Sequence, residues 1–259
     1  MITTIAFMLA TAGAALGAPE STTYTASTEP LGGLMPRQIL DRVDDLFRGD
    51  SSHGRMTMRV KTAHWSRELT LEEWSKGKEK SLVRIRAPKK EKGTSTLKSG
   101  NDIWNYLPKV KRVIKLPSSM MGDSWMGSHF TNDDLVKESR MADDYDYSIT
   151  FRGEDGGEKV TEVTCVPKAG AAVVWGKLVA RVRDRDIMPL AVRYYNEDLK
   201  LARTMTFGDF RNFGNRSIPA RTVIQPADKP KESTEVIQEE LEFDVALDDS
   251  LFSLRNLSR

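Results

Sequence analysis

The sequence has a single cysteine, Cys165, among its 259 residues. An intramolecular disulfide is therefore excluded, although an oxidising compartment is tolerated. Only three histidines are present, and neither they nor Cys165 show the spacing of a zinc site. A phosphate-binding glycine loop, a dinucleotide fingerprint and a Gly-x-Ser-x-Gly nucleophile elbow are also missing. We therefore expect no catalytic residues, no metal and no cofactor.

The chain has no large excess of positive or negative charge, since its net charge is only +2. This argues against a nucleic-acid partner. Apolar residues make up 39% of the chain and charged residues 29%, which excludes both wholesale disorder and a polytopic membrane protein. The composition predicts a soluble globular protein, and the length fits one large all-β domain or two small ones.

The N-terminal residues 5–17 form an apolar run that is too short for a permanent membrane anchor. Small residues at 15–18 match the site that a signal peptidase needs, although no Lys or Arg precedes the run, and a buried N-terminal helix is the alternative. We predict a signal peptide at 1–17, a flexible leader at 18–34 and a single domain at 35–259. Because no cysteine lies near the cleavage site, we expect a protein that is not lipidated there and is soluble in the periplasm.

Strand patterns dominate the chain after one helix, which Pro36 begins and Gly49 ends. Met56, Met58 and Val60 alternate with polar residues, and similar alternation recurs to the C-terminus. Few helical segments separate these strands, so an antiparallel meander is favoured. A second helix is predicted over 132–141, with Thr131 as the capping residue before it.

A single sheet of this length has one apolar face to bury, and the predicted helices are too few to cover it completely. A cavity is the natural result. A closed barrel or a two-sheet sandwich would bury the same face without any ligand, and both remain alternatives at this point.

One stretch of the sequence carries a family resemblance. It reads GTSTL at 93–97, NDIWNYLP at 101–108, KRV at 111–113 and MGDSWMGSHF at 121–130. It resembles the outer-membrane lipoprotein-sorting protein family, the LolA/LolB-like relatives of the periplasmic carrier LolA. The sequence departs from that family at His129, where the family usually has Asp.

The resemblance implies a fold that is mainly β with a few helices: a curved antiparallel sheet, or half-barrel, with helices covering its concave apolar face. It also implies a monomeric periplasmic carrier that takes lipoprotein or lipid acyl chains from an inner-membrane exporter of ABC or RND type toward the outer membrane. The alternative is a lipid- or peptide-sensing accessory protein of such an exporter. A hydrolase acting through His129 is a third, less favoured hypothesis.

The candidate ligand-binding residues are apolar side chains of the strands and of the glycine-containing loop. Methionines adapt to irregular apolar shapes, and glycines permit the backbone changes of a lid. The alternative is that these side chains plug the end of the sheet as core. The candidates for the cavity and its lid are Met56, Met58, Trp104, Tyr106, Met120, Met121, Trp125, Met126 and Phe130.

Basic residues of the same stretch form a second group of candidates. Lys109, Lys111 and Arg112 are predicted to contact lipid head groups or a partner. The alternative is a charged sheet edge that prevents strand addition. For His129, we hypothesise that protonation next to the following helix N-terminus loosens the lid as pH falls.

Overall fold

A computed structural model describes residues 34–137, 144–171 and 173–258. The predicted signal peptide and residues 18–33 of the predicted leader lie outside these described residues. Leu34 is described, and it packs against the core. In the described part of the chain, no helix has the length and apolar character to span a membrane.

The first element is helix α1, Pro36–Arg48, as the sequence predicts. Pro36 occupies its first turn, and Gly49 follows it with a φ of 58°, a backbone conformation that glycine adopts at little cost. Ile39, Leu40 and Val43 form an apolar stripe along one side of the helix. This side packs against the core of the sheet, and Ile39 and Leu40 are buried there.

The remaining chain is built from thirteen strands and short helical segments. The strands are β1 Ser51–Lys61, β2 Ser66–Lys76, β3 Lys80–Ala87, β4 Ser95–Ser99, β5 Asp102–Leu107, β6 Arg112–Lys115, β7 Tyr145–Asp155, β8 Glu158–Pro167, β9 Lys177–Arg183, β10 Met188–Tyr195, β11 Leu201–Phe213, β12 Arg216–Pro226 and β13 Ser233–Phe243. Helix α2 is Asn132–Lys137, helix α3 is Leu254–Leu257, and 3₁₀ turns occur at Ser118–Met120, Trp125–Gly127 and Asp249–Phe252.

All thirteen strands form one curved, open antiparallel sheet in the order β6-β5-β4-β3-β2-β1-β13-β12-β11-β10-β9-β8-β7. Strands that are consecutive in the sequence pair with each other, except β6 and β7, and the pairing of β1 with β13 joins the two halves. The mainly β fold with a half-barrel sheet is therefore confirmed.

The two edges of the sheet, β6 and β7, are consecutive in the chain. The connection between them therefore has to cross from one edge to the other. Its described part, residues 116–137, is called the crossing segment below. It contacts β4 through Thr96, β13 through Thr234 and β11 through Arg203, so it runs over the concave face.

Helix α2 ends the described part of the crossing segment and begins with the predicted cap. The Asp134 backbone N–H donates to Thr131 Oγ1 at 3.3 Å, and the Thr131 N–H donates to the Asp134 carboxylate at 2.7 Å. This reciprocal pair satisfies two backbone donors that a helix start leaves without partners.

The convex face is covered near β3–β5 by the C-terminal segment. Phe252 and Leu257 pack there against Leu82 and Leu97. Because side chains alternate between the faces of a strand, Val83 and Thr96 point to the concave side instead.

Candidate functional site

A cavity of about 320 Å³ lies between the concave face, α1 and the crossing segment. Its wall is largely apolar and comes from both halves of the sheet. Leu178, Ala180 and Met205 belong to the core of the β7–β12 half, and Leu71 and Val83 to that of the β1–β3 half. The cavity therefore lies where the sheet has more apolar surface than the helices cover.

Polar side chains line the cavity near α1 and the β2–β3 turn, and they contact one another. Lys78 pairs with Asp44 of α1 at 3.3 Å. Gln238 donates to Glu73 at 3.2 Å. One part of the cavity wall is thus polar, with these side chains paired with one another, while most of the remaining wall is apolar.

Trp125 closes the cavity on the side of the crossing segment. Its side chain is 5% exposed, and its indole N–H donates to Thr96 Oγ1 at 3.0 Å. Phe130 meets the indole ring edge-on, with centroids 6.3 Å apart, and contacts the apolar clusters of both halves. Between them, Met126 and Gly127 have φ values of 48° and 64°, which form the tight turn that brings the two rings together.

Arg203 of β11 holds the crossing segment to the sheet. It donates to the His129 carbonyl at 2.8 Å and pairs with the Asp134 carboxylate. Both side chains of this pair are buried, with 5% and 6% exposed. The guanidinium also lies over the rings of Trp175 and Tyr194, at 4.5 Å and 4.2 Å from their centroids.

In the described part of the chain, the hydrogen-bonding partners of the His129 ring are Thr234 and Glu232 and not the backbone of α2, and the hypothesis of a pH-dependent lid stays a prediction. The ring Nδ1 lies 2.8 Å from Thr234 Oγ1 and the ring Nε2 lies 3.2 Å from Glu232. The N–H of Ala63 and the ring of His129 together lower the pKa of Glu232 below its usual range. The His129 ring therefore lies beside a carboxylate, at the start of β13.

Three of the nine predicted cavity and lid residues line the cavity: Met56, Trp125 and Phe130. Met58 is fully buried in the apolar cluster of the β1–β3 half, and Met126 packs against this cluster. These five side chains are therefore brought together on the concave side. Whether they contact a ligand stays a prediction.

The other four candidates lie away from the cavity. Trp104 and Tyr106 pack against the C-terminal segment with Leu82 and Leu97, on the convex face. Their interpretation as cavity residues is corrected by this placement. Met121 packs at the edge of the sheet beside Ile103, and Met120 is exposed.

Lys109, Lys111 and Arg112 are exposed at the β5–β6 turn, outside the cavity lining.

Sequence reasoning missed Arg203, although a signal was available. In the alternating strand Leu201–Phe213, Arg203 takes a position on the same face as Met205 and Phe207. A cation at a core-facing position is rarely buried without a paired acid. The acid is Asp134, which local pattern identified only as part of a helix cap.

Comparisons with known proteins agree with this architecture. A family model with the description "Uncharacterized protein" matches residues 77–259, which is more than half of the chain. No curated protein matches the sequence.

Three solved structures share the fold. A DUF1329 family protein from Desulfovibrio piger is 22% identical, with a TM-score of 0.79 over 89% of this chain and 100% of that one. A domain named as an outer membrane lipoprotein-sorting protein, from Vibrio parahaemolyticus, is 23% identical, with a TM-score of 0.75 over 86% and 98% of the two chains. A LolA superfamily protein from Nitrosomonas europaea is 22% identical, with a TM-score of 0.73 over 85% and 98%. The chain therefore belongs to the DUF1329 family and has the LolA-like fold of outer-membrane lipoprotein-sorting domains, as the resemblance in its central stretch indicated.

Proposed function

We propose that this protein is a non-catalytic periplasmic carrier, which binds lipoprotein or lipid acyl chains in its cavity for transfer toward the outer membrane. The observation that carries the proposal is the largely apolar cavity of about 320 Å³ beneath a segment that runs over the concave face from β4 to β11. Its size lies at the lower end of small-ligand sites, which span roughly 300–1,000 Å³.

An acyl chain fits this wall because it needs no directional contacts. Each methylene that leaves water contributes about 0.8 kcal/mol. The polar end near Lys78 and Glu73 suits the ester or head-group end of such a ligand, because a polar group buried there would find hydrogen-bonding partners.

The name of the Vibrio relative, a lipoprotein-sorting domain, supports lipoprotein cargo, and an inner-membrane exporter would then supply it. A sensor or accessory protein with the same cavity would bind lipid without passing it on. Transfer between membranes is therefore the activity that separates the two functions.

The test measures both binding and transfer. Ala180, which lines the cavity, is replaced with Leu to fill part of it, and the matched control is Ala202→Leu, on the other face of β11 from Met205. We expect Ala180→Leu to weaken binding of a fluorescent fatty acid and to slow its transfer from donor to acceptor vesicles, while Ala202→Leu changes neither. Binding without any transfer in the parent protein would favour the sensor, and equal effects of both variants would contradict a ligand in this cavity.

Export is tested separately. N-terminal sequencing of periplasmic material should find the mature chain beginning at or near Ala18. An uncleaved chain in the inner membrane would contradict the proposed location.

A further inference from the structure

Three connections lie side by side at one end of the sheet: the β1–β2 turn at 62–65, the β3–β4 loop at 88–94 and the β5–β6 turn at 108–111. They meet because alternate turns of an antiparallel sheet come to the same end. Arg67 pairs with Glu91 at 3.1 Å and so links the first to the second. A Cβ built on Gly93 would lie 3.7 Å from Pro108 Cγ, so the second touches the third.

These connections bring together six exposed cations. They are Lys89, Lys90 and Lys92 of the loop, and Lys109, Lys111 and Arg112 of the turn and the start of β6. Among the described residues, none of the six forms an ion pair with a carboxylate. The nearby acid Glu91 is already engaged by Arg67. The surface therefore has a local positive charge that the chain itself does not neutralise.

Exposed apolar side chains lie on the same three connections as these cations. Trp65 of the β1–β2 turn is 45% exposed, and Val110, between Lys109 and Lys111, is 58% exposed. Leu107 is also exposed, next to the same turn. We call this surface, with the six cations, Trp65, Leu107 and Val110, the basic corner.

We propose that the basic corner docks the protein on the surface of a bilayer that contains anionic lipids. Cations near such a surface are attracted to its negative potential, and an exposed Trp favours the level of the head groups. Protection of the edge strand β6 alone does not account for the surface, since the lysine loop and Trp65 are not on that edge. An acidic protein partner would use the cations but would not require the apolar tips.

The corner also adjoins the crossing segment. A Cβ built on Gly127 would lie 3.2 Å from Nη2 of Arg67, the residue that pairs with Glu91 and lies beside Trp65. Docking would therefore bring the turn between Trp125 and Phe130 close to the membrane. The inference does not depend on what the cavity binds.

The test is sedimentation of the full-length mature protein with vesicles of phosphatidylcholine, with or without one third phosphatidylglycerol. We expect binding to the anionic vesicles that weakens at high ionic strength. Lys109→Gln/Lys111→Gln/Arg112→Gln should weaken it about a hundred-fold at low salt. The matched control Lys159→Gln/Arg185→Gln/Arg211→Gln removes the same charge at the other end of the sheet and should weaken it far less.

Trp65→Ser separates a bilayer from an acidic protein. It should weaken vesicle binding several-fold without changing the salt dependence. Failure of the parent protein to bind anionic vesicles, or equal losses in both triple variants, would overturn the proposal. An unchanged affinity in Trp65→Ser would favour an acidic protein partner and would also overturn it. An unchanged urea-unfolding midpoint shows that the triple variants fold, and this control does not require that the cavity bind a fatty acid.

Discussion

Replacement of Arg203 with Met should destabilise the protein strongly and loosen the crossing segment. The substitution removes the two hydrogen bonds to His129 and Asp134, and it leaves the buried Asp134 carboxylate without its cation. Loss of one partner of a buried ion pair typically costs 3–5 kcal/mol, so we expect a loss of about 4 kcal/mol. That is a large share of the roughly 5–15 kcal/mol by which a domain is stable.

The assay is urea unfolding in a double-mutant cycle. Asp134→Asn removes the charge but keeps an oxygen that can accept from the Thr131 N–H, so the helix cap is retained. We expect the double variant Arg203→Met/Asp134→Asn to be more stable than the sum of the single losses indicates, by about 1–3 kcal/mol. The control is Arg55→Met, whose pair with Glu240 is exposed and should matter little.

Arg203→Met and Arg203→Met/Asp134→Asn should also release a fluorescent fatty acid faster than the parent protein, because Arg203 contacts the crossing segment at two points. A coupling energy near zero would refute the assignment of Arg203 and Asp134 as a pair. A normal release rate in a destabilised Arg203→Met would show that the pair stabilises the fold without controlling access to the cavity.

Three further predictions concern buried or paired side chains. Trp125→Phe should cost about 1 kcal/mol in urea unfolding through the lost indole hydrogen bond, whereas Trp125→Ala should cost about 3–5 kcal/mol and also weaken fatty-acid binding. Burial raises the pKa of the Cys165 thiol to about 12, so a disulfide reagent at mildly alkaline pH should label it only after unfolding; rapid labelling of the native protein would contradict its burial. The N–H of Ala63 and the ring of His129 lower the pKa of Glu232, so its contribution to stability is present above the ordinary Glu value of about 4.3 and is lost as pH falls through the lower native value. The stability advantage of the parent over Glu232→Gln in urea should therefore disappear in acid, and an advantage that persists there would be inconsistent with this contact.

Local chemistry explains what was predictable from the sequence. Helix α1 follows from Pro36, Gly49 and an apolar stripe, and the start of α2 follows from a capping pair that spans only three residues. The antiparallel pairing of successive strands follows from alternation and short turns. The central motif adds the family, because it preserves a particular order of residues.

The alternation of side chains along a strand does not determine which face of the sheet lies inside the half-barrel. It shows that Trp104 and Tyr106 share a face, but not whether that face is concave or convex. That choice depends on the C-terminal segment, which packs on the convex side about 150 residues later in the sequence. The aromatic pair was therefore assigned to the cavity although it belongs to the other face.

Residue composition and local pattern alone thus determined that this chain forms an antiparallel sheet with one apolar face too large for its helices to cover. Only the tertiary structure decided how that face is closed. The pairing of β1 with β13 makes β6 and β7 the two edges, so the segment between them has to lead from one edge to the other, and its contacts place its described part on the concave side. This crossing brings Asp134 to Arg203 and His129 to Glu232, over separations of 69 and 103 residues. Contacts over such separations depend on the path of the whole chain, and no local pattern of residues encodes them.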